Sequence, residues 1–171
     1  MNNSKTSSLT VALNFLSRSK ITASMLKKKM ENKGCFESEE IENTINRLLE
    51  WKYLDDRSYA LSFIKNKKEK SSRKKILYEL MKAGIDQQLT KELIEEYYSE
   101  EAEHENCLSL AYKLWHEEYT RWENKYRFNP KYMNIAPEVF IRKRVGEKLL
   151  LRHYPYSTVI SVLTESLLEV T

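Results

Sequence analysis

The sequence predicts an all-α chain: three tandem three-helix repeats forming an elongated, curved molecule. Three observations predict it. Apolar residues recur at helical spacing along most of the chain, turn-forming residues are scarce, and one set of landmarks returns after fifty residues. Only three Gly and three Pro occur in 171 residues, too little punctuation for a sandwich, a barrel or a phosphate-cradling glycine loop. Hydrophobic residues make up 41% of the chain, enough for real cores, while 32% charged residues require a large solvated surface. That balance favours an extended shape over a sphere.

A helix reaches a core when apolar residues fall at i, i+3, i+4 and i+7. Leu9, Ala12, Leu13 and Leu16 do so, followed by Met25, Leu26 and Met30, and then by Ile41, Ile45, Leu48 and Leu49. Thr22 is placed to cap the second of these helices, Gly34 to end it, and Ser38 to cap the third ahead of Glu39 and Glu40. Tyr53 and Leu54 close the unit, giving a first repeat over 1–54.

The pattern then returns. Tyr59, Phe63 and Ile64 open a second unit, and Ile76, Leu77, Leu80 and Met81 lead to Gly84-Ile85, fifty residues beyond Gly34. Asp86 is the expected cap of a helix carrying Leu89, Leu93, Ile94 and Tyr97, so the second repeat covers 55–98. A looser third copy over 99–171 runs through Leu108, Ala111, Tyr112, Trp115 and Tyr119, then Ile141, Val145 and Leu149, then Ile160, Leu163 and Leu167. His153 stands where Gly84 stands but 69 residues on, so this copy holds an insertion of about 19 residues near 120–136.

Charge is unevenly distributed. Lys65, Lys67, Lys68, Lys70, Arg73, Lys74 and Lys75 face a single acid, Glu69, which puts +6 on Lys65–Lys75, whereas Glu92–Glu105 holds seven glutamates and no Lys or Arg. A second basic cluster, Arg142, Lys143 and Arg144, is expected to be exposed on its helix. Each run has an ordinary reading as a solvated helix face and a functional one as a partner-binding surface. In the insertion, Trp122, Tyr126 and Phe128 alternate with Arg121, Lys125 and Arg127. Such rings either stack on bases while the cations hold phosphates, or pack the insertion onto its own bundle.

Nothing points to catalysis. Asp55 and Asp56 are a carboxylate pair, but the position just ahead of Arg57 suits a helix cap better than an acid-base site. Glu101, His104 and Cys107 share a helix face without a full ligand set, and His116-Glu117-Glu118 lacks the second His of a zinc-peptidase motif. No metal, cofactor or catalytic residue is expected. Cys35 and Cys107 lie 72 residues apart in unlike contexts, with no signal-peptide run and no membrane-length apolar stretch, so a reducing cytoplasm is expected.

The run Tyr53-Leu54-Asp55-Asp56-Arg57-Ser58-Tyr59-Ala60, the basic stretch, and Ile76 to Ile85 with Gly84 together resemble the central signature of the RecX family. With the flanking helices the resemblance covers nearly the whole chain. It departs at Lys52, where the family often has glycine, and at Ser71 and Ser72, where glycine is frequent. The resemblance implies a non-enzymatic regulator, a monomer in the cytoplasm, that binds the RecA filament on single-stranded DNA. Such a regulator would restrain, in the main, RecA's ATPase and recombinase activities, and so act in recombination, repair and the SOS response. The two basic clusters would supply contacts to the filament or to single-stranded DNA. Two other classes stay open: a helix-turn-helix protein reading duplex DNA, and a helical protein-protein adaptor.

Overall fold

In the computed structural model residues 7–168 are described, with side chains through Glu165. The expected apolar position Leu167 and the first six residues of the first repeat therefore lie outside the described side chains. The described residues contain no strand. They form α1 (Ser8–Arg18), α2 (Ala23–Lys33), α3 (Ser38–Glu50), α4 (Asp56–Lys67), α5 (Arg73–Lys82), α6 (Gln87–Tyr97), α7 (Glu100–Arg121), α8 (Pro137–Leu150) and α9 (Tyr156–Leu168). A five-residue π turn, Trp122–Tyr126, extends α7.

The chain divides into two compact units. One takes the described residues up to Phe63 together with Leu77–Leu93, and the other takes Ile64–Ile76 together with the residues from Ile94 onward. In the first, Leu26 and Met30 of α2 meet Ile41, Ile45 and Leu48 of α3 beneath Ala12 of α1. In the second, Ala111, Leu114 and Trp115 of α7 pack with Val145 and Leu149 of α8 and with Val159 and Leu163 of α9.

A helix leaves its first N–H groups without intrahelical partners, and a side chain just ahead of the helix answers one of them at the heads of α1, α2, α4, α5, α6 and α7. Ser7 caps α1 (Thr10 N–H to Ser7 Oγ, 3.2 Å), Thr22 caps α2 (Met25 N–H, 3.1 Å) and Asp55 caps α4 (Ser58 N–H, 2.9 Å). Ser72 caps α5, Asp86 caps α6 and Ser99 caps α7 in the same way. Thr22 and Ser72 are fifty residues apart and do the same job at the heads of α2 and α5. A serine at the glycine-frequent position 72 thus adds an oxygen acceptor that glycine lacks.

The ends of α2, α5 and α8 share one backbone device. Gly34, Gly84 and His153 all take positive φ (66°, 83° and 63°), and each donates its N–H to a carbonyl three residues back. Lys52 does likewise at the end of α3, with φ of 57°. The two glycines serve different needs. A Cβ on Gly34 would meet nothing within 4 Å, whereas one on Gly84 would lie 2.2 Å from Ser24 Cβ. Gly84 is therefore required for close approach as well as for the turn.

The apolar register departs from expectation at several points. Leu49, Met81, Tyr97, Tyr119 and Ile160 are exposed, and Tyr98 and Val159 are buried instead of their neighbours. Helix α3 begins at Ser38 itself, with Glu37 in the cap position and no side-chain cap bond. The largest shift is in α7, where the buried stripe is Glu103, Cys107, Ala111, Leu114, Trp115 and Glu118. Two carboxylates occupy core positions there, so a search for apolar residues alone reads the stripe one position out of phase.

These turns yield two stability predictions. Lys52→Gly should raise stability by about 0.5–1 kcal/mol, because it relieves a left-handed residue that carries a Cβ. Gly34→Ala should cost about 1 kcal/mol and Gly84→Ala about 3 kcal/mol. Adding Ser24→Gly should recover part of the Gly84 loss and none of the Gly34 loss. Urea unfolding of the single and double variants measures all of these.

Candidate cationic interaction site

The basic run is laid across the end of α4, the loop that follows it and the first turns of α5, and its members are not equivalent. Lys65, Lys67, Lys70 and Lys74 are exposed, with Lys65 Nζ lying 5.9 Å from the Tyr97 ring centre. Lys68 and Lys75 are half-buried, and the Lys68 carbonyl accepts from Asn106 Nδ2 at 3.3 Å. Arg73 is committed to the fold. Its guanidinium pairs with Glu95 and, at 3.1 Å, with Glu100, while its backbone N–H donates to Glu103 at 2.6 Å. The acidic and basic runs therefore meet at Arg73 instead of standing apart. Burial pushes the Glu103 carboxyl above its usual range, against the pull of the Arg73 N–H and charge.

The α8 cluster is also mixed. Arg142 and Lys143 are exposed, but Arg144 is half-buried, contrary to the expectation of a fully exposed cluster. Arg144 Nε and Lys148 Nζ each reach the Glu118 carboxylate at 2.5 Å, and Arg121 reaches it at 2.6 Å. Glu118 is fully buried. Burial alone would raise its carboxyl, but hydrogen bonds from Lys148 and Arg144, with their charges, outweigh this and hold it below the ordinary range. Glu103 and Glu118 were missed in the sequence, although their spacing with Cys107, Ala111, Leu114 and Trp122 is helical and would have placed them on the core face.

The insertion's rings divide between core and surface. Trp122 is buried and packs on Phe140 (ring centres 4.8 Å apart), and Tyr126 packs on Phe140 (5.0 Å) and Tyr132 (5.3 Å). Phe128 is 82% exposed, with the Arg127 guanidinium 5.5 Å from its ring centre. Of the three candidate stacking residues, Phe128 alone presents its ring to solvent.

The signature residues serve the heads of α2 and α4. Asp55 caps its own helix through the Ser58 N–H and also accepts from Ser58 Oγ at 2.7 Å, and these bonds hold its carboxyl low. Asp56 instead accepts the Ala23 N–H at 3.0 Å, and Thr22 Oγ1 donates to the Ala83 carbonyl at 2.5 Å beside Gly84. Leu54 and Ala60 are buried, Tyr59 stacks on Phe63 (6.3 Å), and Tyr53 is exposed. The carboxylate pair is thus divided between two helix heads. His104 Nε2 lies 3.4 Å from Glu165, and burial pushes the Cys107 thiol up to about 12. Among the described residues no group of three or more potential ligands could hold a metal, and no helix is long and apolar enough to cross a membrane.

No family model matches the chain. It is 34% identical over 103 residues to regulatory protein RecX of Caldanaerobacter subterraneus subsp. tengcongensis, covering 60% of this chain and 52% of the relative. It is 36% identical over 105 residues to the Clostridium botulinum (strain Alaska E43) protein (60% and 47%), and 28% identical over 154 residues to that of Clostridium acetobutylicum (90% and 66%). The crystal structure of RecX from Lactobacillus salivarius superposes with a TM-score of 0.68 at 22% identity, covering 92% of both chains. A second RecX crystal structure superposes equally well at 20% identity, covering 90% of this chain and 68% of that one.

The chain is similar in sequence to RecX proteins and shares their fold. It spans about half the length of the first two RecX relatives it matches, and those relatives are regulatory proteins by name. At these identities the superpositions establish a shared RecX fold.

The Glu118 hub gives the chain an acid-sensitive element. A carboxyl depressed by folding stabilises fully above the ordinary value of 4.5 and loses that contribution as pH falls through the depressed one. Glu118→Gln should cost about 2–3 kcal/mol near pH 7, less than a fully buried broken pair because the partner cations are partly exposed. The variant should then lose less further stability than wild type between about pH 5 and pH 3. Thermal unfolding across that range checks both.

Proposed function

We propose that the chain binds the helical filament that RecA forms on single-stranded DNA and restrains its ATP hydrolysis and strand exchange. Similarity to proteins named regulatory protein RecX supports a regulatory role. The observation that carries the reading further is a set of uncommitted cations on one compact unit: Lys70 and Lys74 beside the α4–α5 loop, and Arg142 and Lys143 on α8. Lys65, which lies over the Tyr97 ring, and Lys67 are also exposed on α4, without belonging to that uncommitted set. Several modest contacts on a repeating polymer add through effective concentration, so no single deep pocket is required. The reading takes the three repeats, 1–54, 55–98 and 99–171, as the units of the fold, and a monomer in the cytoplasm as the acting form.

Arg73, Arg144 and the half-buried Lys68 and Lys75 are left out of the contact set because the fold uses or covers them. Reversing Lys67, Lys70, Lys74, Arg142 and Lys143 to Glu should weaken inhibition of RecA's DNA-dependent ATPase roughly ten-fold or more, with a shallower dependence on salt. Titration of wild type and variant at several salt concentrations reads both quantities. Unchanged potency and slope would remove these cations from the interface, and a preferred duplex site in competition would favour a helix-turn-helix reader instead.

A further inference from the structure

The insertion is an irregular segment on a rigid mount. Its π turn is closed by the Arg127 N–H to the Trp122 carbonyl (3.0 Å), and successive turn bonds follow from Asn129 to Tyr126, Tyr132 to Asn129 and Ile135 to Tyr132. Beneath them Trp122, Tyr126, Tyr132 and Phe140 form one ring cluster, with the Arg144 guanidinium 5.6 Å from the Phe140 ring centre and 5.8 Å from that of Tyr126. Arg144 is itself fixed by the buried Glu118. On this mount the short stretch 128–139 turns apolar side chains to solvent: Phe128 (82% exposed), Met133 (68%), Val139 (63%) and Ile135 (38%). Lys125, Lys131, Arg142 and Lys143 are exposed nearby in the chain, while the acid Glu123 is paired with Arg127, leaving Glu138 as the exposed acid of the stretch.

Apolar residues held in order at the surface, with cations close by in the chain, are the usual composition of a protein-docking anchor, and prior ordering lowers the entropy lost on binding. The composition discriminates among occupants. Stacking on bases needs ring faces, yet three of the four exposed apolar residues are aliphatic and the Trp122 and Tyr126 rings are spent on the mount. Insertion into lipid favours an amphipathic helix, whereas this stretch is mainly tight turns. Net positive charge around the anchor calls for an acidic counterpart. We infer that Phe128, Met133, Ile135 and Val139 form an apolar anchor that docks on an acidic protein surface; resting on the function proposed above, that surface belongs to a RecA protomer and not to the DNA the filament encloses.

The test uses the full chain with Phe128→Ser, Met133→Ser and Val139→Ser, all at exposed positions, after its unfolding curve has been matched to wild type. Co-sedimentation measures binding to RecA filaments on single-stranded DNA, to the bare single strand, and to vesicles of phosphatidylserine and phosphatidylcholine. The expected result is a roughly ten-fold or greater loss of filament affinity, with binding to bare DNA and vesicles unchanged. Equal filament binding by variant and wild type overturns the anchor alone. A parallel loss on bare DNA overturns it in favour of base stacking, and a loss confined to vesicles overturns it in favour of lipid. A wild-type chain that fails to bind filaments overturns the proposed function and, with it, the partner assigned here. Lys131→Glu supplies a second reading: it should weaken filament binding most at low salt while leaving the unfolding curve unchanged.

Discussion

The unpaired N–H groups at the head of α2 are the constraint around which the first compact unit is organised. A lone helix of eleven residues would leave them to water. Here Asp56, 33 residues away, takes the Ala23 N–H, and Thr22, while capping Met25, donates to a carbonyl 61 residues away at Ala83. Gly84 makes the approach feasible, since any side chain there would collide with Ser24. Long-range partners thus convert a local capping need into tertiary structure. The sequence signature around Asp55-Asp56 and Gly84 is therefore explained by helix heads and close approach, with no call on chemistry.

The second compact unit solves a parallel problem with buried carboxylates. Glu103 accepts the first N–H of α5, and Glu118 gathers Arg121, Arg144 and Lys148. Buried charge is tolerable at Glu118 because three cations reach it, and removing a partner there leaves the other group stranded, whereas Glu103 has the Arg73 N–H and a carboxyl raised by burial. This has a direct bearing on function. Cations that pair with acids of the fold, Arg73, Arg144 and Lys148 among them, are held by the fold, so the positive surface open to a partner is smaller than the Lys and Arg count suggests.

What was legible in the sequence was local. Helical class, the caps at Thr22, Asp55 and Asp86, and the positive-φ positions at Gly34, Gly84 and His153 follow from residue types whose preferences act within one turn. What was not legible depended on distant partners. The partner of Asp56 is on another helix, and the commitment of Arg73 depends on glutamates 22 and 27 residues away. The phase of α7 was misread because Glu103 and Glu118 look like surface residues until the cations and N–H groups that neutralise them are placed.

The insertion shows the same division from the other side. In sequence, Trp122, Tyr126 and Phe128 form one aromatic-basic alternation, open to bases but better suited to packing. In the fold, the i→i+5 spacing of the π turn sends Trp122 and Tyr126 inward against Phe140 and leaves Phe128 outside. The mount also joins the hub, because the Arg144 guanidinium bound by Glu118 lies over the Tyr126 and Phe140 rings. Glu118 therefore has two roles separated in space: it holds α7 to α8, and through Arg144 it fixes the support of an exposed apolar tip.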